Sequence, residues 1–432
     1  MNIQSSTSHH FAHSLPVRIT KVLFLGYGWP EPRSSAAGLR TMNLVDAFLA
    51  SGWEIIFCSS SKKNQYSENL SELGIRTEQV QFNDSSFDAF VSKESPDFVI
   101  FDRFLTEEQF GWRIQQFSPD SVRIIDTIDL HFLRREREKH LKAGMSLTDL
   151  AVCNFNLSTN DAYREIAAIY RSDCSLIISD FEIALLVERL KVPENLLFLS
   201  RFHYTEANPS PPFEERKNFA MIGNFRHAPN TDALHWLKNE IWPKIQRQLP
   251  FAQVHVYGAY PTKEIMNLTD SKTGFYVKGT AENQFETLRQ YRINLAPLRF
   301  GAGIKGKITD GWWTGTPAIS TSIGAEGMFE DLPWGGEISN DPHDFAMKAI
   351  NLYQKKDAWE KCQTQGKAII QRFYSNEPHS ANLIKKLEAI RQNLAQTRGE
   401  NFIGGMLNHH LHKSTKYFSL WIESKNSLKS PS

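Results

Sequence analysis

Residues 294–328 read NLAPLRFGAGIKGKITDGWWTGTPAISTSIGAEGM, and the order of signals inside them decides the fold. Leu295-Ala296-Pro297-Leu298 is the apolar end of a strand. A glycine loop follows, Gly301-Ala302-Gly303, with Gly306 close behind. Residues 304–314 have helical spacing, which Gly315 and Pro317 end. Ala318-Ile319-Ser320-Thr321 reads as the next strand, so the whole is a βαβ unit. A loop of this kind leaves backbone N–H groups free at the positive end of a helix, where a phosphate can sit. Lys305 and Lys307 bring full charges to the same turn. Asp310, one turn further in, is badly placed to hold phosphate and well placed to accept hydrogen bonds from sugar hydroxyls. Taken alone, the pattern also fits an ordinary βα turn with solvated lysines.

Working outward, 432 residues are too many for one ordinary core and predict two domains of roughly 150 to 200 residues each. Hydrophobic residues at 41% and aromatics at 12% support buried cores. A net charge of +1 argues against a general attraction to nucleic acid or to an anionic membrane. Cys58, Cys153, Cys174 and Cys362 share no C-x-x-C and no spacing with His, so neither a disulfide framework nor a zinc site is predicted. The first sixteen residues lack the apolar centre of a signal peptide, and no run reaches the roughly 18 apolar residues of a membrane span. A cytoplasmic protein is the expectation.

The grammar of the long stretch recurs along the chain. KVLFLG (residues 21–26) reads as a buried parallel strand, and an amphipathic helix closed by Gly52 leads to the strand EIIFCSS. Gly26 and Gly28 lack the third glycine of a dinucleotide fingerprint. VRIIDTIDLHF adds a strand whose carboxyl end carries Asp126, Asp129 and His131, the end where open α/β sheets place ligands. The following RREREKH reads as a solvated helix face. CSLIISD is expected as the last strand of the first half, with TEANPSPPFEERKN as the linker. FAMIGNF, AQVHVYGA and GFYVKGT are the first strands of the second half, and residues 230–250 predict one long helix.

The stretch GAGIKGKI followed by GTPAISTSIGAEGM resembles the donor-binding segment of the GT-B glycosyltransferases, specifically the retaining group 1 (family 4) enzymes. The resemblance runs from about Lys21 to Tyr374, and DTIDLHFLRREREK shares it. It implies an α/β protein with two Rossmann-like domains facing across a cleft and a C-terminal helical tail. The expected division is a disordered segment at 1–17, an acceptor-side domain at 18–206 and a linker at 207–217. A nucleotide-sugar domain at 218–375, a helix crossing back at 376–400 and an amphipathic tail at 401–432 complete it. The activity implied is transfer of a sugar from a UDP- or GDP-linked donor to a glycan, lipid or other acceptor, with retention and without a metal.

Carried over residue by residue, the resemblance puts the second acid of the E-x7-E signature at Asp310 and the first at Ala302, which has no carboxylate. Strict spacing from Gly223 gives Asn224 and Asn230 in place of an Arg and a Lys, with Arg226 and His227 as nearby substitutes. The donor site is thus expected at Gly223, Asn224, Arg226, His227, Gly279, Gly301, Ala302, Gly303, Lys305, Lys307 and Asp310, with Tyr276 and Thr280 near the base. Asp129 and His131 take the catalytic positions, His131 aligning the donor sugar, while Gly38 and Arg40 flank the acceptor and phosphate. Two alternatives stand beside the transferase: a nucleotide-sugar epimerase of the same architecture, and a non-catalytic module that has lost an acid. In the tail, His409, His410 and His412 read as structural or solvated histidines. Tyr417, Phe418, Leu420 and Trp421, with Lys413, Lys416 and Lys425 around them, read as packing onto the protein rather than docking to the inner face of a membrane, a contact left open.

Overall fold

The computed structural model describes residues 19–152, 155–204 and 210–428. The segment 1–17, residues 207–209 of the expected linker and Cys153 lie outside them. Short apolar runs separated by amphipathic stretches build two α/β halves. The first contains β1 (Lys21–Gly26), β2 (Glu54–Ser59), β3 (Arg76–Gln79), β4 (Phe98–Asp102), β5 (Val122–Asp126), β6 (Cys174–Ile177) and β7 (Leu197–Leu199), ordered β3-β2-β1-β4-β5-β6-β7. The second contains β8 (Lys217–Ile222), β9 (Val254–Tyr257), β10 (Phe275–Gly279), β11 (Tyr291–Ala296), β12 (Ala318–Ser320) and β13 (Gly336–Ile338), ordered β10-β9-β8-β11-β12-β13. Neighbouring strands pair in parallel, β1 matching Val22 to Phe98 on β4 and β11 matching Asn294 to Ala318 on β12.

β6 is not the last strand of its sheet, and β13 carries no signal of its own in the sequence. Both added edge strands are three residues long, too short for an apolar run to stand out. The helix expected over residues 230–250 is broken into Ala228–Trp236, a π-helical turn at Leu237–Ile241, and Trp242–Gln248. Pro243 has no N–H to continue the α ladder, and the turn before it widens instead. Beyond the second sheet the helix Asn376–Gln392 returns to the first, seating Leu383, Leu387 and Ile390 in the core with Phe24, Phe48 and Trp53.

The C-terminal helix, Phe402–Ser427, lies on the helices Arg103–Phe117 and Asn160–Arg171. The expected packing of its aromatic turn is not what occurs: Tyr417, Phe418, Leu420 and Trp421 are exposed. Gly404 and Ser419, on the other side, are among the residues in contact. A Cβ at Gly404 would stand 2.1 Å from the Tyr170 carbonyl oxygen, so only that side approaches closely enough. The side chains of His410 and His412 lie outside the described ones, and no cluster able to hold a metal forms among the described residues. No helix among them is long and apolar enough to cross a membrane.

Strand order reverses between β1 and β4 in the first sheet and between β8 and β11 in the second. At such switch points successive loops leave on opposite faces and open a crevice at the strands' carboxyl ends. The two crevices face each other and enclose a cleft of about 610 Å³.

Candidate functional site

From the first domain, the cleft is lined by Ser34, Ser35 and Ala36 after β1, Arg103 after β4, and Ile128, Asp129, His131 and Arg134 after β5. The second domain contributes Gly223, Asn224, Arg226 and His227 after β8, Thr280 after β10, and Gly301, Ala302, Lys305, Lys307 and Asp310 after β11. Residues from two separately folded sheets therefore meet at one place.

Asp129 and His131 sit where β5 turns into the helix His131–Lys142. His131 Nε2 lies 3.2 Å from Asp129 Oδ1, and Arg134 Nε donates to Asp129 Oδ2 at 2.7 Å. Burial works to raise the Asp129 carboxyl, but Arg134 and His131 outweigh it and hold it well below the ordinary range. Glu165 Oε1 and Oε2 accept the N–H groups of His131 and Phe132 at 3.2 and 3.1 Å, capping the helix from outside its own sequence. The loop carries backbone strain as well. Ile128 has φ of 63° and Arg103 φ of 72°, a region that costs a β-branched residue about 1 to 3 kcal/mol. Both strained residues line the cleft.

The glycine loop is held from below by the opposite domain. Glu182, on the helix Asp180–Ala184, accepts from Leu130 N at 3.0 Å and from Gly303 N at 2.8 Å through the same Oε1. One buried carboxyl thus ties the Asp129–His131 turn to the loop of the second domain. Burial pushes that carboxyl up to about 7, and the charge of Asp129 adds to the rise. Arg137, fully buried, donates to the Gly301 carbonyl at 2.9 Å and to Glu326 Oε1 and Oε2 at 2.8 and 2.7 Å. Gly303 packs directly on Asp129: at φ 65° it takes a conformation glycine favours, and a Cβ there would stand 2.9 Å from Asp129 Cβ.

Lys305, Lys307 and Asp310 occupy the start of the helix Gly306–Trp313 and the turn before it. Lys305 is buried, with Nζ on the Gly303 carbonyl, and burial lowers its ammonium to about 8 against the pull of Glu326, Glu182 and Asp129. Lys307 Nζ contacts Asn230 Oδ1, and burial, reinforced by Lys305, brings it down to about 7. Asp310 accepts from Tyr204 OH at 2.6 Å, and burial raises its carboxyl to about 7 despite that bond and the charge of Lys307. Such buried groups titrating near neutrality suit an anionic ligand that carries hydroxyls.

Five of the expected residues are not on the cleft wall. Arg40 is buried 1% exposed behind it, its Nε donating to both Asp126 oxygens at 2.8 and 2.9 Å. Gly38 is covered by the loop after β1, where a Cβ would meet Glu31 backbone at 2.4 Å. Gly303 lies under the wall, and Gly279 ends β10 with its carbonyl accepting from Gly258 N at 2.8 Å. Tyr276 turns to His255, ring to ring at 5.6 Å. At the mouth the domains touch directly. Tyr66 OH meets Thr280 Oγ1 at 3.0 Å, and Tyr260 OH donates to Glu31 at 2.8 Å while Arg226 covers its ring at 3.5 Å.

The sequence reading passed over Glu182, Glu165, Arg137 and Glu326. Arg137 stands in the run read as a solvated face, and the signal against that reading is its place four residues after buried Leu133. Glu182 follows the cap Ser179 by three, the spacing of a capping box, which gives no hint that the carboxyl turns away to a second domain.

Residues 216–355 match the family model for the Glycosyl transferases group 1. An uncharacterized 44.6 kDa protein in the cps region of Klebsiella pneumoniae is 22% identical over 176 residues, 39% of this chain and 45% of that protein. The chain therefore spans about half the length of the curated relative it matches. Among solved structures, sucrose-phosphate synthase from Thermosynechococcus elongatus superposes with a TM-score of 0.66 at 14% identity, over 87% of this chain and 100% of that one. Anabaena HepE in complex with UDP and glucose gives 0.63 at 10% identity, over 85% and 99%. The lipopolysaccharide outer core galactosyltransferase WaaB gives 0.53 at 13%, over 86% and 99%. The class so defined is the GT-B glycosyltransferase fold, which bears out the architecture expected from residues 294–328. Within it, the second domain carries the match to the group 1 glycosyltransferase model.

Proposed function

We propose that the protein is a glycosyltransferase that moves a sugar from a nucleotide-sugar, with retention at the anomeric carbon and without a metal, to a glycan, lipid or other acceptor. The observation that carries this reading is the meeting in one cleft of Lys305, Lys307 and Asp310 from the second domain with Asp129 and His131 from the first. Transfer requires the leaving diphosphate to be stabilised as the glycosidic bond breaks. The N–H groups of the glycine loop and the two ammonium groups supply positive charge at a fixed position, which lowers that barrier without solvent reorganisation. Asp310 accepts ribose hydroxyls, and the loop Gly223–His227 closes the other side of the nucleotide. His131, oriented by Asp129, aligns the donor sugar. No separate nucleophile is assigned, in keeping with entry of the acceptor on the face the diphosphate leaves.

UDP is the favoured carrier, because Anabaena HepE, of the same fold, is described in complex with UDP and with UDP-glucose. The thiols of Cys58, Cys174 and Cys362, all buried and unbridged, fit a reducing compartment such as the cytoplasm. Thermal unfolding tests the donor site: UDP at millimolar concentration should raise the melting temperature more than GDP, with or without divalent metal. A melting temperature that neither nucleotide moves would remove the donor site. Incubation with a panel of UDP-sugars and mixed acceptors then reads transfer directly.

A further inference from the structure

A second cavity, of about 330 Å³, lies at the amino ends of β5 and β6, the opposite end of the first sheet from the cleft. The helices Leu394–Glu400 and Phe402–Ser427 supply its other wall. Its charged lining is unequal: Arg123, Arg171 and Arg398 against Asp173. Glu107, behind the wall, is taken by Arg171, whose Nε donates to Oε1 and Oε2 at 2.9 and 3.1 Å. Asp173 is taken by Arg398, Nε to Oδ1 and Nη2 to Oδ2, both at 2.8 Å. The Arg123 guanidinium is the charge left over. Its Nη2 stands 3.5 Å from Asp173 Oδ1. Among the described residues its Nη1 has a single bond of 3.3 Å, to Asn408 Oδ1, and its Nε has no partner. Yet Arg123 is only 6% exposed. A buried cation with five donors and so few acceptors is costly unless a counter-charge reaches it. Burial disfavours that charge more strongly than Asp173 supports it.

We propose that this cavity binds phosphate, free or as the monoester of a small alcohol, between the body of the first domain and the C-terminal helices. Planar guanidinium groups offer paired N–H donors that match a tetrahedral oxyanion. Arg171 has donors to spare, since Nε and Nη2 make its bonds to Glu107 and Nη1 takes no part in them. A carboxylate has its two oxygens on one edge, whereas phosphate carries oxygens on every side and can meet Arg123 and Arg171 together. Asn408, with Oδ1 turned to Arg123, brings an amide to the same wall. Arg123 and Arg171 belong to β5 and the helix Asn160–Arg171, while Arg398 and Asn408 belong to the two C-terminal helices. A bound phosphate therefore bridges the two parts and strengthens the seating of Phe402–Ser427. The inference does not rest on the donor site, which lies at the other end of the sheet.

Thermal unfolding and hydrogen exchange of the full chain test it, with inorganic phosphate or glycerol 2-phosphate compared against chloride at equal ionic strength. A saturating phosphate should raise the melting temperature by about 2 °C or more and slow amide exchange at residues 398–408. A larger response to the ester than to the free ion would assign the remaining space to its alcohol; a response to either supports the site. Lys305→Ala, in the cleft, should leave both effects in place. Arg123→Gln should abolish them. Asn408→Asp provides a second reading should that variant disturb the fold, because it sets an internal carboxylate beside Arg123. It should raise the melting temperature of the phosphate-free protein and weaken phosphate binding roughly tenfold or more. No response beyond that to chloride would overturn the proposal. So would a response that Asn408→Asp retains in full, or protection confined to residues 301–310.

Discussion

Replacing Asp310 by Asn should stabilise the empty protein and weaken its hold on nucleotide, and both effects follow from one burial. The carboxyl is 6% exposed, has Tyr204 OH on one oxygen, and is raised by desolvation from 3.8 to about 7. A group whose folded value lies above its unfolded one contributes stability fully present below the unfolded value and lost as pH rises through the folded value. Above pH 7, ionised Asp310 therefore costs the empty protein on the order of 4 kcal/mol relative to acid pH, an upper limit because neighbouring Lys307 titrates in the same range. Asn cannot ionise and still accepts from Tyr204. The stability of Asp310→Asn relative to the parent should thus grow by roughly 2 to 3 kcal/mol between pH 5 and pH 8, as read by denaturant unfolding at each pH. Its affinity for UDP should fall by roughly tenfold or more, since a carboxylate accepting sugar hydroxyls is replaced by an amide, and calorimetry measures that. Asp310→Glu should keep or improve binding if the site takes a shortened acid. A stability difference that is flat with pH would refute the burial argument, and an unchanged UDP affinity in Asp310→Asn would take the residue out of the site.

Lys305→Ala should slow single-turnover sugar transfer by about two orders of magnitude, near 3 kcal/mol of barrier, and more than Lys307→Ala does; equal, near-parental rates in both would return these lysines to a structural role. In an Asp310→Asn background UDP affinity should decline as pH rises toward 7, because the Lys307 ammonium, brought down by burial and no longer held up by the Asp310 charge, is lost before the diphosphate can meet it. Lys307→Arg, which keeps its proton, should abolish that slope in a calorimetric pH series. Arg137→Gln should lower the unfolding free energy by about 3 kcal/mol, since half-buried Glu326 loses its partner; denaturant melts would read it, and a loss under 1 kcal/mol would show the pair to be dispensable.

The parts legible in the sequence are those set by neighbours along the chain. The strand, glycine loop, helix and strand of residues 294–328 reappear as β11, the loop, Gly306–Trp313 and β12, because each is specified by local spacing and by Gly and Pro. Asp129, His131, Lys305 and Lys307 line the cleft as expected because they stand in the segments that follow strand ends. What stayed hidden depends on distance in sequence. Arg40 was expected in the cleft, and nothing near it in the chain announces Asp126, 86 residues on. Glu182 reaches a glycine 121 residues away, and Arg137 reaches one 164 away. A charged residue reads as solvated until its partner is known, and the partner lies far along the chain, for Glu182 and Arg137 in the other domain.

The floor contacts of Glu182 and Arg137 have a consequence for engineering. GT-B halves invite exchange, since each folds about its own sheet and the linker between them is short. Here, however, the loop that would hold the donor phosphate is braced by side chains encoded in the other half. A hybrid that joins this second domain to a foreign first domain would inherit the loop without its braces, leaving the Gly303 N–H and Glu326 exposed or unpaired. Donor preference in such hybrids would change even though every nucleotide contact had been transplanted intact. Grafts meant to alter the acceptor alone must therefore carry Glu182 and Arg137 with them.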